Sequence, residues 1–137
     1  MAAYNKFQQF TKDLIDGVHD FDGHTFKIML TNSSPVNTNT VKANLTEISS
    51  GNGYTSGGNT VSMTTSTSSG TAKVVMGDTT FTASGGAIGP FRYAVLYNDS
   101  PTSPADPLIA WWDYGASITL ADGEVFTVDA DGTTGIL

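Results

Sequence analysis

The stretch 91–128, FRYAVLYNDSPTSPADPLIAWWDYGASITLADGEVFTV, decides the fold class. It holds both tryptophans and three of the five tyrosines, in short apolar runs broken by turns containing Pro, Asp and Gly. Such runs predict consecutive antiparallel strands, because aromatic and β-branched side chains fit a pleated surface. In the first run Phe91, Tyr93, Val95 and Tyr97 alternate with Arg92, Ala94 and Leu96. Both sets are largely apolar, which predicts a central strand. Arg92, the last cation of the chain, then needs an ion pair with one of the later Asp residues, buried or at an interface. The loop 98–107 carries three prolines, and the chain returns over 108–114. Adjacent strand residues point to opposite faces, so Trp111 fills one side and Trp112 the other. One is expected in the core, and the other beneath the N-terminal helix or against another subunit. Asp122-Gly123 marks a tight turn into a last strand over 125–129.

Upstream of that stretch the pattern is thinner. Residues 25–31 alternate Phe26, Ile28 and Leu30 with Thr25, Lys27, Met29 and Thr31, which predicts a half-buried strand. Residues 41–48 form a weaker strand candidate. Residues 60–63 and 72–76 flank the hydroxyl-rich TTSTSSG, read as the tip of a long hairpin, and Thr79–Ala83 follows with Phe81 inward. The segment 49–59, SSGNGYTSGGN, has four glycines in eleven residues. It lacks the Gly-Lys-Ser/Thr and following helix of a phosphate-binding loop. It is therefore read as a flexible loop with Tyr54 as its anchor.

One helix is expected, over residues 3–18. Tyr4, Phe7, Phe10, Leu14, Ile15 and Val18 recur at spacings of three and four, with polar residues between. Taken together, the elements predict a single domain over 1–137: mainly β, an antiparallel, jelly-roll-like β-sandwich with one N-terminal amphipathic α-helix.

Charge and composition narrow the function classes. Charged residues make up 14% of the chain, against about 25% in ordinary domains, so small uncharged polar residues cover the surface. Residues 1–92 balance six cations with six acids, and the net charge of −7 lies wholly in 93–137. An acidic face repels phosphate backbones, which argues against nucleic-acid binding. The chain has no cysteine and so no thiolate metal site. No apolar run approaches the roughly 18 residues of a membrane span. The opening residues do not read as a signal peptide, so a product made and assembled in the cytoplasm is expected. The two histidines, His19 and His24, are tied by no motif to a nucleophile, and no serine sits in a Gly-x-Ser-x-Gly elbow. Asp129-Ala130-Asp131-Gly132 is only a fragment of a calcium loop. The expectation is a protein that is not an enzyme and carries no cofactor or metal.

Several segments in order, AYNKFQQF, TFKIMLTN, VKANLTEISSGNGYTSGG, FTASGGAIGPFRYAVLYND, PLIAWWDYG and ITLADGEVFTV, resemble a family of small virion proteins of tailed bacteriophages. The resemblance covers nearly the whole chain. It implies an accessory structural role on the capsid surface, first as a decoration (cement) protein bound to the major capsid protein and forming a homotrimer. The alternative it implies is a tail or fibre component that contributes to host attachment. A carbohydrate-binding module, with an outward tryptophan and Tyr97 or Tyr114 stacking on sugar rings, is a third class. Partner contacts are expected from Tyr4, Phe7, Phe10 and Leu14 of the helix, Tyr54 of the Gly-rich loop, and Arg92, Trp111 and Trp112. The apolar tail, Ile136 and Leu137, completes the set.

Overall fold

The structure, a computed structural model, describes residues 4–130 together with Gly135 and Ile136. It is mainly β, with antiparallel sheets and one α-helix. The stretch 91–128 supplies the centre. Strand β7 (Ile88–Asn98) pairs antiparallel with β8 (Leu108–Leu120), setting Val95 opposite Trp111 and Ala94 opposite Trp112. Strand β2 (Phe26–Thr31) joins the other side of β7, with Met29 opposite Val95. Strands β1 (Tyr4–Lys6) and β3 (Asn59–Val61) form the edges, giving the order β1-β8-β7-β2-β3.

Two smaller antiparallel pairs accompany this sheet: β4 (Met63–Ser68) with β5 (Thr71–Met76), and β6 (Thr79–Thr82) with β9 (Val125–Val128). Val74 and Met76 of β5, Phe81 of β6 and Val128 of β9 pack with Ile28, Leu30, Ala94, Leu96 and Ala110 of the large sheet in the main core. A second cluster covers the sheet's other face. There Phe7 and Leu45 close over Met29, Tyr93, Val95, Tyr97 and Leu108, with Trp111 at the margin. Residues 25–31 read as half-buried by alternation. Met29 and Thr31 are instead fully buried, because the N-terminal segment and the 41–48 region cover the face that alternation assigned to solvent. Burying each large apolar side chain contributes roughly 1.5–3 kcal/mol.

The N-terminal helix is shorter than its apolar periodicity predicts. Tyr4–Lys6 is extended and pairs with Ala110–Trp112 of β8, and only Gln8–Ile15 is helical, as α1. Backbone pairing with an otherwise open strand edge, plus the contact of Tyr4 on Trp112, outweighs local helix propensity here. Phe7 is extended between the two elements, and its N–H bonds to Ile109 O at 3.0 Å. The helix ends where Gly17 takes φ +76°, with Gly17 N–H donating to Leu14 O and Val18 N–H to Asp13 O. This is the Schellman arrangement that a glycine past the helix end permits. Ile15, on the apolar face by spacing, is the last residue of α1 and is 79% exposed.

The weak strand candidate at 41–48 is a 3-10 turn over Lys42–Asn44. The Asn44 side-chain oxygen accepts from the N–H groups of Thr40 and Val41, so a local bond replaces a ladder. The face-sharing expected of Phe91 also fails. Phe91 lies in the main core, whereas Tyr93, Val95 and Tyr97 lie in the second cluster. A register shift between Phe91 and Tyr93 separates them.

Candidate binding surface

Most residues expected at a partner interface are packed inside the chain. Phe7 is fully buried, its ring 4.6 Å from that of Trp111. Phe10, Tyr54 and Ile136 belong to the main core, and Leu14 packs against it half-buried. Tyr4 lies against Trp112 at 5.3 Å and donates from its hydroxyl to Ile136 O at 2.5 Å. The two tryptophans do point to opposite faces, and each is half-buried under one residue of the N-terminal segment. Leu137 and the first residue of the expected helix lie outside the described residues.

Tyr54 does anchor the Gly-rich loop, through a network that sequence reading missed. Its hydroxyl accepts from Leu30 N–H at 3.1 Å and donates to Glu47 Oε2 at 2.6 Å. The same oxygen accepts from Gly57 N–H, Lys42 Nζ bonds Glu47 Oε1 at 3.1 Å, and Tyr97 donates to Gly57 O. Burial alone would raise Glu47, but the bonds from Tyr54, Gly57 and Lys42 together hold its carboxyl below the usual range. Burial first, and then the Glu47 contact, push the Tyr54 phenol up, so it stays a donor. The loop is thus tied at its centre to β2 and β7.

The histidines meet at the start of the 98–107 loop. The buried Asn98 side-chain nitrogen bonds Nδ1 of His19 at 3.1 Å and Nδ1 of His24 at 2.9 Å. His19 stacks on Phe21 and meets the edge of Phe10. Burial pushes His19 down to about 4 from 6.5, with Asp13 opposing and His24 adding to the shift. Its unfolded form takes a proton near 6.5 and its folded form resists until about 4. The unfolded state therefore binds more protons in that window, and stability falls as pH falls. Urea midpoints are expected to drop between pH 6.5 and 4, and a His19→Gln variant to show a shallower drop. Parallel curves for the two proteins would remove His19 as the cause.

Arg92 finds its acid across the central hairpin. Nε and Nη2 bond the two carboxylate oxygens of Asp113 at 2.8 and 3.1 Å, and the guanidinium stacks 5.4 Å from the Tyr93 ring. The pair is half-exposed rather than buried. The Arg92 hydrogen bond holds the Asp113 carboxyl below the usual range. Here β8 bulges: Tyr93 opposes Asp113 and Phe91 opposes Ile118. Residues 114–117 therefore stand against Arg92 alone. Gly115 takes φ +99°, and its N–H donates to Asp113 Oδ1 at 2.8 Å. Bulges re-aim side chains, and this one turns Tyr114 outward to 54% exposure, beside Phe126 of β9 at 5.9 Å.

A cleft of about 280 Å³ lies between this part of the large sheet and β9, walled by Trp112, Tyr114 and Phe126, with Arg92 and Asp129 among its polar groups. A second, of about 420 Å³, shares the Tyr114 and Phe126 wall and includes Thr119 and Glu124. No protein family, curated protein or solved structure matches this chain. Among the described residues, no group of three or more His, Asp or Glu is placed to hold a metal, and no helix is long and apolar enough to cross a membrane. Of the wall, Trp112 and Arg92 were legible as candidates, and Tyr114 as a sugar-stacking ring. Phe126 and the bulge were not. The Gly-Ala-Ser run after Tyr114 carries no periodicity that marks extra residues in a strand.

Proposed function

We propose that this chain is a non-enzymatic structural protein of a tailed-bacteriophage virion, a capsid decoration protein that binds the major capsid protein as a homotrimer. In this reading its two layers are a jelly-roll-like β-sandwich. The observation that carries the proposal is the β4–β5 ribbon. Val74 and Met76 root it in the core, while residues 64–72 are all exposed. The strands stay paired out to Ser68 opposite Thr71, around Ser69 and Gly70 at φ +50° and +81°, the positive-φ pair of a tight hairpin turn. Beyond the Thr65–Val74 pair it extends on the order of 15 Å. Seven of the nine residues 63–71 carry hydroxyls and none is charged. Such an arm offers uncharged strand edges to a neighbouring subunit. A cement protein needs this: a stiff body and a segment that reaches across a subunit boundary.

The helix, the Gly-rich loop and Ile136, which sequence reading assigned to reaching, are instead bound to the chain's own core, and the ribbon takes over that role. The family resemblance supports the virion setting. Quantitative mass spectrometry of purified particles is expected to find on the order of hundreds of copies per virion, as for a component that follows shell symmetry. A ring-like number of roughly three to twelve copies would assign it to the tail or connector instead.

A further inference from the structure

The aromatic cleft has chemistry that a structural role leaves unused. Tyr114 and Phe126 meet at 60°, forming a ridge with a cleft on either side. The first cleft, about 280 Å³, lies at the small end of ligand sites, the size of a single ring. Its lining includes the half-buried indole of Trp112, and its polar groups are the planar Arg92 guanidinium and Asp129 carboxylate with the Thr127 hydroxyl. Asp113 occupies two of the five N–H donors of Arg92 and fixes its plane. The Asp113–Gly115 bond in turn fixes the bulge that holds Tyr114 out.

Flat apolar rings beside rigid donors and acceptors suit a ligand with C–H faces and adjacent hydroxyls. A purely apolar peptide side chain would make no use of the three Arg92 N–H donors that Asp113 leaves over, or of the Asp129 carboxylate. Charge narrows the class further. One cation, Arg92, stands among Asp113, Asp129 and Glu124, so an anionic ligand meets net repulsion. We propose that this surface binds a neutral oligosaccharide, with one sugar unit in each cleft and the chain crossing the Tyr114–Phe126 ridge. This goes beyond the capsid reading and does not depend on it, since copy number and glycan binding are separate measurements.

The test uses the full chain on an immobilised array of neutral and anionic bacterial surface glycans and neutral hexose oligomers. Tryptophan emission is then titrated with the best binder. The expected result is saturable binding to neutral glycans with a change in emission. Binding should weaken at least tenfold in Tyr114→Ala, a substitution at an exposed position that leaves the urea midpoint unchanged. Arg92→Lys, which keeps the charge but loses the planar fork, should also weaken it. Three results would overturn the proposal: no glycan bound above the Tyr114→Ala signal, a preference for anionic glycans, or self-association through this face without glycan binding.

Discussion

Replacing Phe7 with Ala is expected to lower the unfolding free energy by about 3–5 kcal/mol, the usual cost of emptying a fully buried aromatic position. The ring is completely shielded from solvent and lies on Trp111. It belongs to the cluster with Met29, Val95, Tyr97 and Leu108 that closes the second face of the large sheet. Removing it leaves a cavity over three strands at once and uncovers the indole. The fold has little means to refill the space, since β1 is held by its pairing with β8 and α1 starts at the next residue. A urea titration should show a lower midpoint with little change in slope. Ile15→Ala, at a position 79% exposed, should stay within about 0.5 kcal/mol of the parent. A loss below about 1 kcal/mol at Phe7 would mean that the N-terminal segment is not seated as described.

Gly58→Ala is expected to cost about 3 kcal/mol or more, by a different route. Gly58 has φ +81°, and an added Cβ would stand 1.8 Å from Ile28 O and 2.8 Å from Met29 Cα. Both are backbone atoms of the buried β2, so neither can swing aside. The methyl would push β3 off β2 and loosen the Glu47–Tyr54–Gly57 network next to it. Gly17→Ala separates the two contributions. That glycine has φ +76° but nothing within 4 Å of its Cβ position, so only the left-handed backbone penalty of about 1–2 kcal/mol applies. Equal losses at the two glycines would rule out the close approach to β2. Thermal or urea unfolding of the three proteins side by side measures both.

These two positions also mark what the sequence made legible. Alternation over 25–31 and the apolar runs over 91–97 and 108–114 were enough to place β2, most of β7 and the first half of β8, and to put Trp111 and Trp112 on opposite faces, but not the course of β8 on to Leu120. Alternation reports a strand's own two faces and nothing of what covers them, so the burial of Met29 and Thr31 was invisible. The segment from Tyr4 to Leu14 has apolar residues at spacings that suit a helix. Tyr4 is nonetheless claimed by β8, more than a hundred residues away, and no local window contains that competitor. Arg92 calls for a later acid, because an isolated cation among apolar neighbours demands one. Its partner's identity depended on the strand register. Glu47 is not legible in the sequence, since a lone acid between two loops looks solvated until Tyr54, Gly57 and Lys42 converge on it.

The bond from the Tyr4 hydroxyl to Ile136 O spans 132 positions, and β1 finds its strand partner only at Ala110–Trp112. Chains whose contacts are this distant in sequence fold slowly, because each closure loses chain entropy before contacts compensate it. On the ribosome, the first strand has nothing to pair with until β8 emerges. Until then Phe7 lacks Trp111 and Leu108, the β8 side chains of its cluster. The core can therefore close only after residues 108–120 have been made, and until then the nascent segment is exposed to aggregation or chaperone capture.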